Sequence, residues 1–383
     1  MTIGRFVAKN AFRNRRRSVL TVLSMAFSLL LLTLMMTIWH AFFNDQGSVQ
    51  SAQRLITRHK VSLVFFLPGY YREKIRSLPG VKHVVNQIWF GGQYKDDKPE
   101  NYFGQFATDP NELLQVYPEF QIPQDQVDAW KRDRAGCIVD SELVKQHGWK
   151  IGDRLFIKGV IFPVNLELTV RGVFSAPQPT ISIYFNNTYL EEAYPEIKGL
   201  AGFYGVMADS PEAVTKVAKG IDAEFRNSPR PTKTESERAF QLDWIAMMGN
   251  VKAFILSICG AVMFAIMLVS ANTMAMSVRS RTREVAVLKT LGFTQMRVLS
   301  MFVSESMALA ITGGVFGVVV AKFVIAWLTH QFIGLGIPLD MKVNAITASI
   351  ALLTAVMLGI VSGYLPAHRA SRMNIVDALR HIG

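Results

Sequence analysis

Four stretches of this sequence, Val19–Ile38, Val251–Met276, Gln295–Leu328 and Ala345–Leu365, are apolar over twenty residues or more. A bilayer core of roughly 30 Å takes about 20 helical residues. In lipid, backbone amides must be satisfied within their own segment, so each stretch is predicted as a membrane-spanning helix. Lys252 sits at the outer end of the second stretch and can snorkel, as can Lys322 near the outer end of the third. The third stretch exceeds the hydrocarbon thickness and should tilt or protrude.

The basic excess has to be located before the net charge of +12 can be interpreted. Of the 41 Lys/Arg and 29 Asp/Glu, 24 and 25 lie between Asp45 and Asp243. The remainder therefore holds 17 basic against 4 acidic residues, all in the apolar parts and their flanks. Arg5, Lys9, Arg13 and Arg15–Arg17 precede the first span, Arg279, Arg281, Arg283 and Lys289 follow the second, and Arg369, Arg372 and Arg380 follow the fourth. The short outer loop carries Lys342. Every loop obeys the positive-inside bias in one orientation, which predicts cytoplasmic termini and an external insertion. The same distribution argues against nucleic acid as a partner. The first apolar run is too long for a cleavable signal and lacks a small-residue cleavage site, so the helix is expected to remain. Cys137 and Cys259 lie in different regions and give no disulfide framework or metal-ligand spacing.

The predicted fold class is an α-helical integral membrane protein with four transmembrane helices and a large α+β extracytoplasmic domain inserted between helices 1 and 2. Residues 1–43 form a lead-in and first helix, 44–245 the insertion, 246–278 the second helix and 279–294 a cytoplasmic loop. Residues 295–329 form the third helix, 330–344 a short outer loop, 345–366 the fourth helix and 367–383 a tail. Within the insertion, strands are predicted at Lys60–Leu67, Val81–Phe90, Tyr102–Ala107, Ile138–Val139, Arg154–Lys158, Leu166–Phe174, Ile181–Phe185 and Gly205–Ala208. Helices are predicted at Tyr70–Ser77, Asn111–Val116, Ser141–His147 (closed by Gly148) and Pro211–Phe225. Two subdomains are expected, ended by Pro229 and Pro231. From Glu235–Trp244 a helix should run on into the second span.

The loop after the second span carries the strongest local pattern. Ala271–Gly317 reads ANTMAMSVRSRTREVAVLKTLGFTQMRVLSMFVSESMALAITGGVFG. A short helix over Arg283–Leu291 should end at Gly292, and Thr294 should cap the re-entering helix. This stretch resembles the intracellular loop of the MacB/FtsX/LolCE-type (type VII, mechanotransmission) ABC transporter permeases. The arrangement of one span before the insertion and three after it is similar too. So is the ending GYLPAHRASRMNIVDALRHIG, and GCIVDSELVKQHGWKIGDRLFI resembles the family's extracytoplasmic domain loosely.

The resemblance implies a bacterial inner-membrane permease subunit that passes ATPase movements to its outer domain. It would export or extract a lipoprotein, peptide, lipid or drug. It implies a dimeric ABC ATPase partner holding ATP and Mg²⁺, a second permease copy or paralogue, and a periplasmic adaptor or an outer enzyme. An FtsX-like signalling protein that regulates an extracytoplasmic enzyme is the alternative. The chain has no GxxxxGK[ST] loop, HExxH or GxSxG, so no catalytic, metal or cofactor site is expected in it. No two-fold repeat of broken helices suggests a secondary transporter.

The candidate ATPase-docking residues are Arg281, Arg283, Glu284, Val285, Leu288, Lys289, Leu291 and Gly292, with Val285, Leu288 and Leu291 on one face. A loop resting on anionic lipid headgroups is the plainer reading. Gly313, Gly314 and Gly317 permit close helix packing, within the subunit or across a dimer. Glu305 is expected to pair with Arg279, Arg281 or Arg297, which leaves little for proton coupling. Pro366 should break the last span before an amphipathic tail of Ile375, Val376, Ala378 and Leu379, either a second cytoplasmic contact or a stop-transfer sequence. The methionines around Met247, Met248, Met263, Met267, Met274 and Met276 are read as membrane packing, with an adaptable lipid or drug surface as the alternative.

Overall fold

The structure, a computed structural model, describes residues 15–41, 51–177, 180–247, 250–334 and 341–372. The expected lead-in before residue 15, Met248, most of the outer loop and the amphipathic tail from residue 373 lie outside them. The chain forms two compact units. One contains the four long helices, and the other is the insertion.

Helix α1 (Arg15–Trp39) leads into the insertion. There the order is β1 (Arg54–His59), β2 (Leu67–Pro68), α2 (Tyr71–Arg76), β3 (Val81–Trp89), β4 (Gln93–Tyr94), β5 (Gly104–Thr108), α3 (Leu113–Val116) and α4 (Gln124–Arg132). It continues with β6 (Gly136–Asp140), α5 (Ser141–His147), β7 (Arg154–Lys158), β8 (Leu166–Phe174), β9 (Ser182–Asn186), α6 (Asn187–Ala193), β10 (Leu200–Ala201) and β11 (Phe203–Ala208). Helix α7 (Val214–Glu224), β12 (Thr232–Ser236) and α8 (Glu237–Met247) complete it. The main sheet has ten strands in the order β12-β1-β11-β3-β5-β9-β6-β8-β7-β4, and β2 pairs with β10 apart from it.

One hydrogen-bonded sheet thus runs through what the sequence divides into two subdomains. The buried side chains form three clusters along it, one of them joining Val85 of β3 with Ile138 of β6 and Phe174 of β8. Leu55, Tyr71, Ile75, Val206, Ile221 and Phe225 bury one core under α2 and α7. Phe90, Trp149, Leu155, Ile157, Phe162 and Phe185 bury another around β7–β9. Burial pushes the Cys137 thiol, deep in that second core, far up its range.

The strand predicted at Lys60–Leu67 is displaced. Strand β1 is Arg54–His59, while residues 60–66 form a loop with Val61 and Val64 exposed. The apolar run lacks a partner strand. The polar-looking RLITRH pairs on both sides, with β11 and β12, and satisfies its polar groups there. Thr57 Oγ1 meets Thr234 Oγ1 at 3.0 Å and Arg58 Nε donates to Glu235 at 3.0 Å. Pro229 and Pro231 consequently do not end the domain, which continues through β12 and α8. Nor does α8 run on into the second span. Asn250 begins a separate helix, its side-chain oxygen accepting from Ala253 N at 3.0 Å.

Asp140 is the hub of the β6–α5 junction. It caps α5 by accepting from Glu142 N at 3.0 Å, and Gly148, at φ +71°, closes that helix. Its other oxygen accepts from Thr180 N, Thr180 Oγ1 and Ile181 N at 2.8–2.9 Å. Ile181 has φ +47°, a conformation that costs a β-branched residue on the order of 1–3 kcal/mol and persists only when its surroundings enforce it. Asp140→Asn would turn an amide donor toward donors. We expect it to lower domain stability by about 3 kcal/mol, read as the midpoint shift in urea unfolding.

The helical unit comprises α1, α9 (Val251–Ser280), α10 (Thr282–Thr290), α11 (Gln295–Gly334) and α12 (Ala345–Arg372). Four of these are long and apolar enough to cross a membrane. Lys252 Nζ lies 5.7 Å from the Trp39 ring centroid, consistent with a snorkelling end. Helix α12 continues through Pro366 instead of breaking there. Proline is tolerated in membrane helices when neighbours re-satisfy the freed carbonyl.

Candidate functional site

The short helix α10 is one residue out of the predicted register, at Thr282–Thr290. Gly292, at φ +88°, follows its C-cap Leu291. Gly292 N donates to Lys289 O and Phe293 N to Leu288 O, both at 3.1 Å, forming a Schellman turn that fixes how the chain leaves the helix. Thr294 Oγ1 accepts from Arg297 N at 3.4 Å as α11 begins.

The face expected to dock a partner is divided. Val285 is 2% exposed and packs with Met274, Val278, Val298, Phe302 and Ala367, so it belongs to this chain's own core. Leu288 and Lys289 are half-buried, while Arg283, Glu284 and Gly292 are exposed. The free apolar surface instead straddles the Gly292 turn: Val287 is 46%, Leu291 71%, Phe293 41% and Met296 75% exposed. Periodicity locates the apolar positions of a nine-residue helix, but not which of them the rest of the chain covers.

Arg281 is also an internal residue. It is the junction of α9 and α10, and its guanidinium Nη1 donates to Glu305 Oε2 at 2.8 Å. The two side chains are 6% and 3% exposed. Glu305 thus selects Arg281 among the three cations considered for it.

The glycines of α11 pack within the chain. A Cβ on Gly313 would lie 2.8 Å from Met25 Cβ, and one on Gly317 would lie 2.5 Å from Ala26 O, so α1 approaches almost backbone to backbone. Gly314 faces Ala355 and Leu352 of α12, and Leu29 of α1. A second pair, Gly359 and Gly363 of α12, packs on Ser306 and Ala310. Its four-residue spacing is the same small-residue signal in the sequence. Buried serines bind the layer together. Ser306 Oγ donates to Gly359 O at 2.8 Å, and Ser270 and Ser362 hydroxyls meet at 2.6 Å.

The insertion has its own buried charge cluster. Arg54 Nε donates to Glu237 at 2.8 Å, Nη2 to Glu119 at 2.6 Å and Nη1 to Val116 O at 2.9 Å, with the guanidinium 4.1 Å from the Tyr117 ring centroid. Burial pushes the Tyr117 hydroxyl up to about 12, so it stays neutral. Burial also raises the Glu237 carboxyl, against the pull of Arg54. The cluster joins β1, the first strand of the insertion, to α8, its last helix. Among the described residues no group of three or more His, Cys, Asp or Glu could hold a metal ion.

Residues 256–375 match the model of the FtsX-like permease C-terminal region, and residues 18–224 match the MacB-like periplasmic core domain. An uncharacterized ABC transporter permease of Methanocaldococcus jannaschii is 23% identical over 98% of this chain and 96% of its own length. The pyoverdine export ATP-binding/permease protein PvdT of Pseudomonas putida is 33% identical over 80% of this chain. A macrolide export ATP-binding/permease protein MacB, from Rhodopirellula baltica, is 33% identical over 35% of it. The chain spans nearly all of the Methanocaldococcus relative but 47% of PvdT and 19% of that MacB. The periplasmic region of MacB from Actinobacillus actinomycetemcomitans aligns with 54% of this chain and 96% of that one, at 10% identity and a TM-score of 0.37, a likeness too slight to argue from.

Proposed function

The chain belongs to the MacB- and FtsX-like ABC transporter permeases, and from that premise we propose that it is the membrane subunit onto which a separate ABC ATPase docks, converting ATP-driven movement into a change of the insertion domain. The observation that supports the docking reading is the apolar knob of Val287, Leu291, Phe293 and Met296 around the Gly292 turn. Four exposed apolar side chains on a basic loop gain by burial against a partner, at roughly 25 cal/mol per Å² of apolar surface covered. The Schellman turn and the buried Val285 hold them in place beforehand, which reduces the ordering cost of association. In this reading the ATPase is a dimer carrying ATP and Mg²⁺, a second permease completes the assembly, the loop and both termini are cytoplasmic, and the insertion faces the periplasm or the medium. The cargo would be an amphiphile such as a lipoprotein, peptide, lipid or drug, handled at the outer face.

The test is a pull-down of the solubilised chain from its native membrane. Wild type should retain an ATPase subunit. Leu291→Asp with Met296→Asp should reduce that retention at least tenfold, with an unchanged elution profile, because both side chains point outward. Val285→Asp is unsuitable, since it would place a charge in the core around Phe302. Absence of any ATPase from the wild-type pull-down, under conditions that preserve other transporter complexes, would remove the reading.

A further inference from the structure

We propose that the buried Arg281–Glu305 ion pair is a positioning device that makes α10 and α11 move together, so that displacement of the docking loop is delivered to α11 instead of being absorbed at the corner after α9. The mechanical role rests on the docking reading above. The linkage itself rests on the geometry of this chain.

Arg281 is both the last cap of α9 and the first of α10. Its N–H donates to Val278 O at 3.1 Å, and its carbonyl accepts from Val285 N at 3.0 Å. A corner of this kind, one non-helical residue between two helices, would ordinarily hinge. Here the hinge residue's own side chain leaves the corner and is held at Glu305, about three turns into α11. The next residue, Ser306, is bonded to Gly359 O of α12, and Ser362 of α12 is bonded to Ser270 of α9. The ion pair therefore joins the corner to a layer in which α9, α11 and α12 are already connected. A small cleft of mixed character beside Glu305 is lined by Ser18, Thr21 and Met25 of α1, by Ser270, Thr273, Met274 and Ser277 of α9, and by Ser306 and Leu309 of α11. Ser18, Thr21, Ser277, Ser306 and Glu305 are all buried. Glu305 thus lies where α1, α9 and α11 present buried hydroxyl groups to one another.

Separating a buried ion pair is strongly opposed, because each charge loses its partner away from water. The Val285–Phe302 cluster packs α10 against α9, α11 and α12. The charge pair adds a defined point of attachment and one direction of pull.

The experiment compares wild type, Glu305→Gln, Arg281→Gln and the exchanged pair Arg281→Glu/Glu305→Arg, each as the full chain. In the permease alone, amide hydrogen exchange over residues 282–293 should rise at least tenfold in the single variants and fall back toward wild type in the exchanged pair. With saturating ATPase bound, the single variants should lose the ATP-dependent change of exchange along α11, which the exchanged pair regains. Wild-type exchange over 282–293 in both single variants would overturn the proposal, as would an undiminished ATP response along α11. Should the single variants fail to fold, the exchanged pair decides. Recovered folding with wild-type protection supports the pair, and a folded exchanged pair with unprotected 282–293 overturns it. If the wild type retains no ATPase, the docking reading falls while the exchange measurement on the permease alone still decides the linkage.

Discussion

Arg54→Ala is expected to lower the stability of the insertion domain by about 3–5 kcal/mol, the usual cost of removing one member of a buried charge cluster. The substitution strands Glu119 and Glu237 without a cation, leaves Val116 O without its donor and removes the guanidinium from the Tyr117 ring. A domain of this size shifts by about 2–4 °C per kcal/mol, so its thermal transition should fall by on the order of 10 °C. Limited proteolysis of the full chain should then cut first near α8, whose Glu237 loses its tie to β1. Glu237→Gln should cost far less, about 1 kcal/mol, because the amide oxygen still accepts from Arg54 Nε. The pH dependence has a definite sign. Burial raises the Glu237 carboxyl above its ordinary value of 4.5, so the folded domain takes up this proton more readily than the unfolded chain. Its contribution is fully present below the ordinary value and is lost as pH rises through the folded one. Glu237→Gln should therefore flatten the loss of stability with rising pH just above 4.5. An Arg54→Ala domain melting within 2 °C of wild type would show that the cluster is not a structural clamp.

Gly317→Ala should be nearly as damaging to the helical unit. The added Cβ would lie 2.5 Å from Ala26 O and 3.1 Å from Leu30 N, both backbone atoms of α1 that no rotamer change can move. Overpacking typically costs 1–3 kcal/mol, and a backbone obstacle puts this case at about 3. Hydrogen-bonded and van der Waals contact, more than hydrophobic burial, holds helices together in lipid, so a forced separation of α1 and α11 is not offset elsewhere. The expected result is loss of the monodisperse elution peak and a marked drop in the melting temperature in detergent. Gly260→Ala is the matched control, because a Cβ there meets nothing within 4 Å and should be neutral. Equal behaviour of the two variants would mean that α1 and α11 do not approach as closely as Gly317 implies.

The long helices were legible because a bilayer leaves a long apolar segment one way to satisfy its amides. The insertion was harder. Val81–Trp89, Arg154–Lys158 and Leu166–Phe174 announce themselves by β-branched and alternating residues, and the structure has strands there. Strand β1 does not, because Arg54, Thr57 and Arg58 look solvated until Glu237, Thr234 and Glu235 arrive from about 180 residues away. Helix α4 was missed for a related reason: its apolar side rests on Val127 and Trp130, too few for a clear period. At the candidate site, sequence placed α10 and its Gly292 turn to within a residue. It could not divide Val285 from Leu291, since burial there depends on α9, α11 and α12. The partner of Glu305 was likewise narrowed to three cations by position and chosen by packing alone.

The first and last strands of the insertion are hydrogen-bonded neighbours, with Leu55 opposite Ser236. Opposed antiparallel residues lie only about 5 Å apart. The chain therefore enters and leaves this sheet side by side, at Leu55 and Ser236. A sheet whose first and last strands are neighbours accepts insertions in its intervening loops without moving its two ends apart.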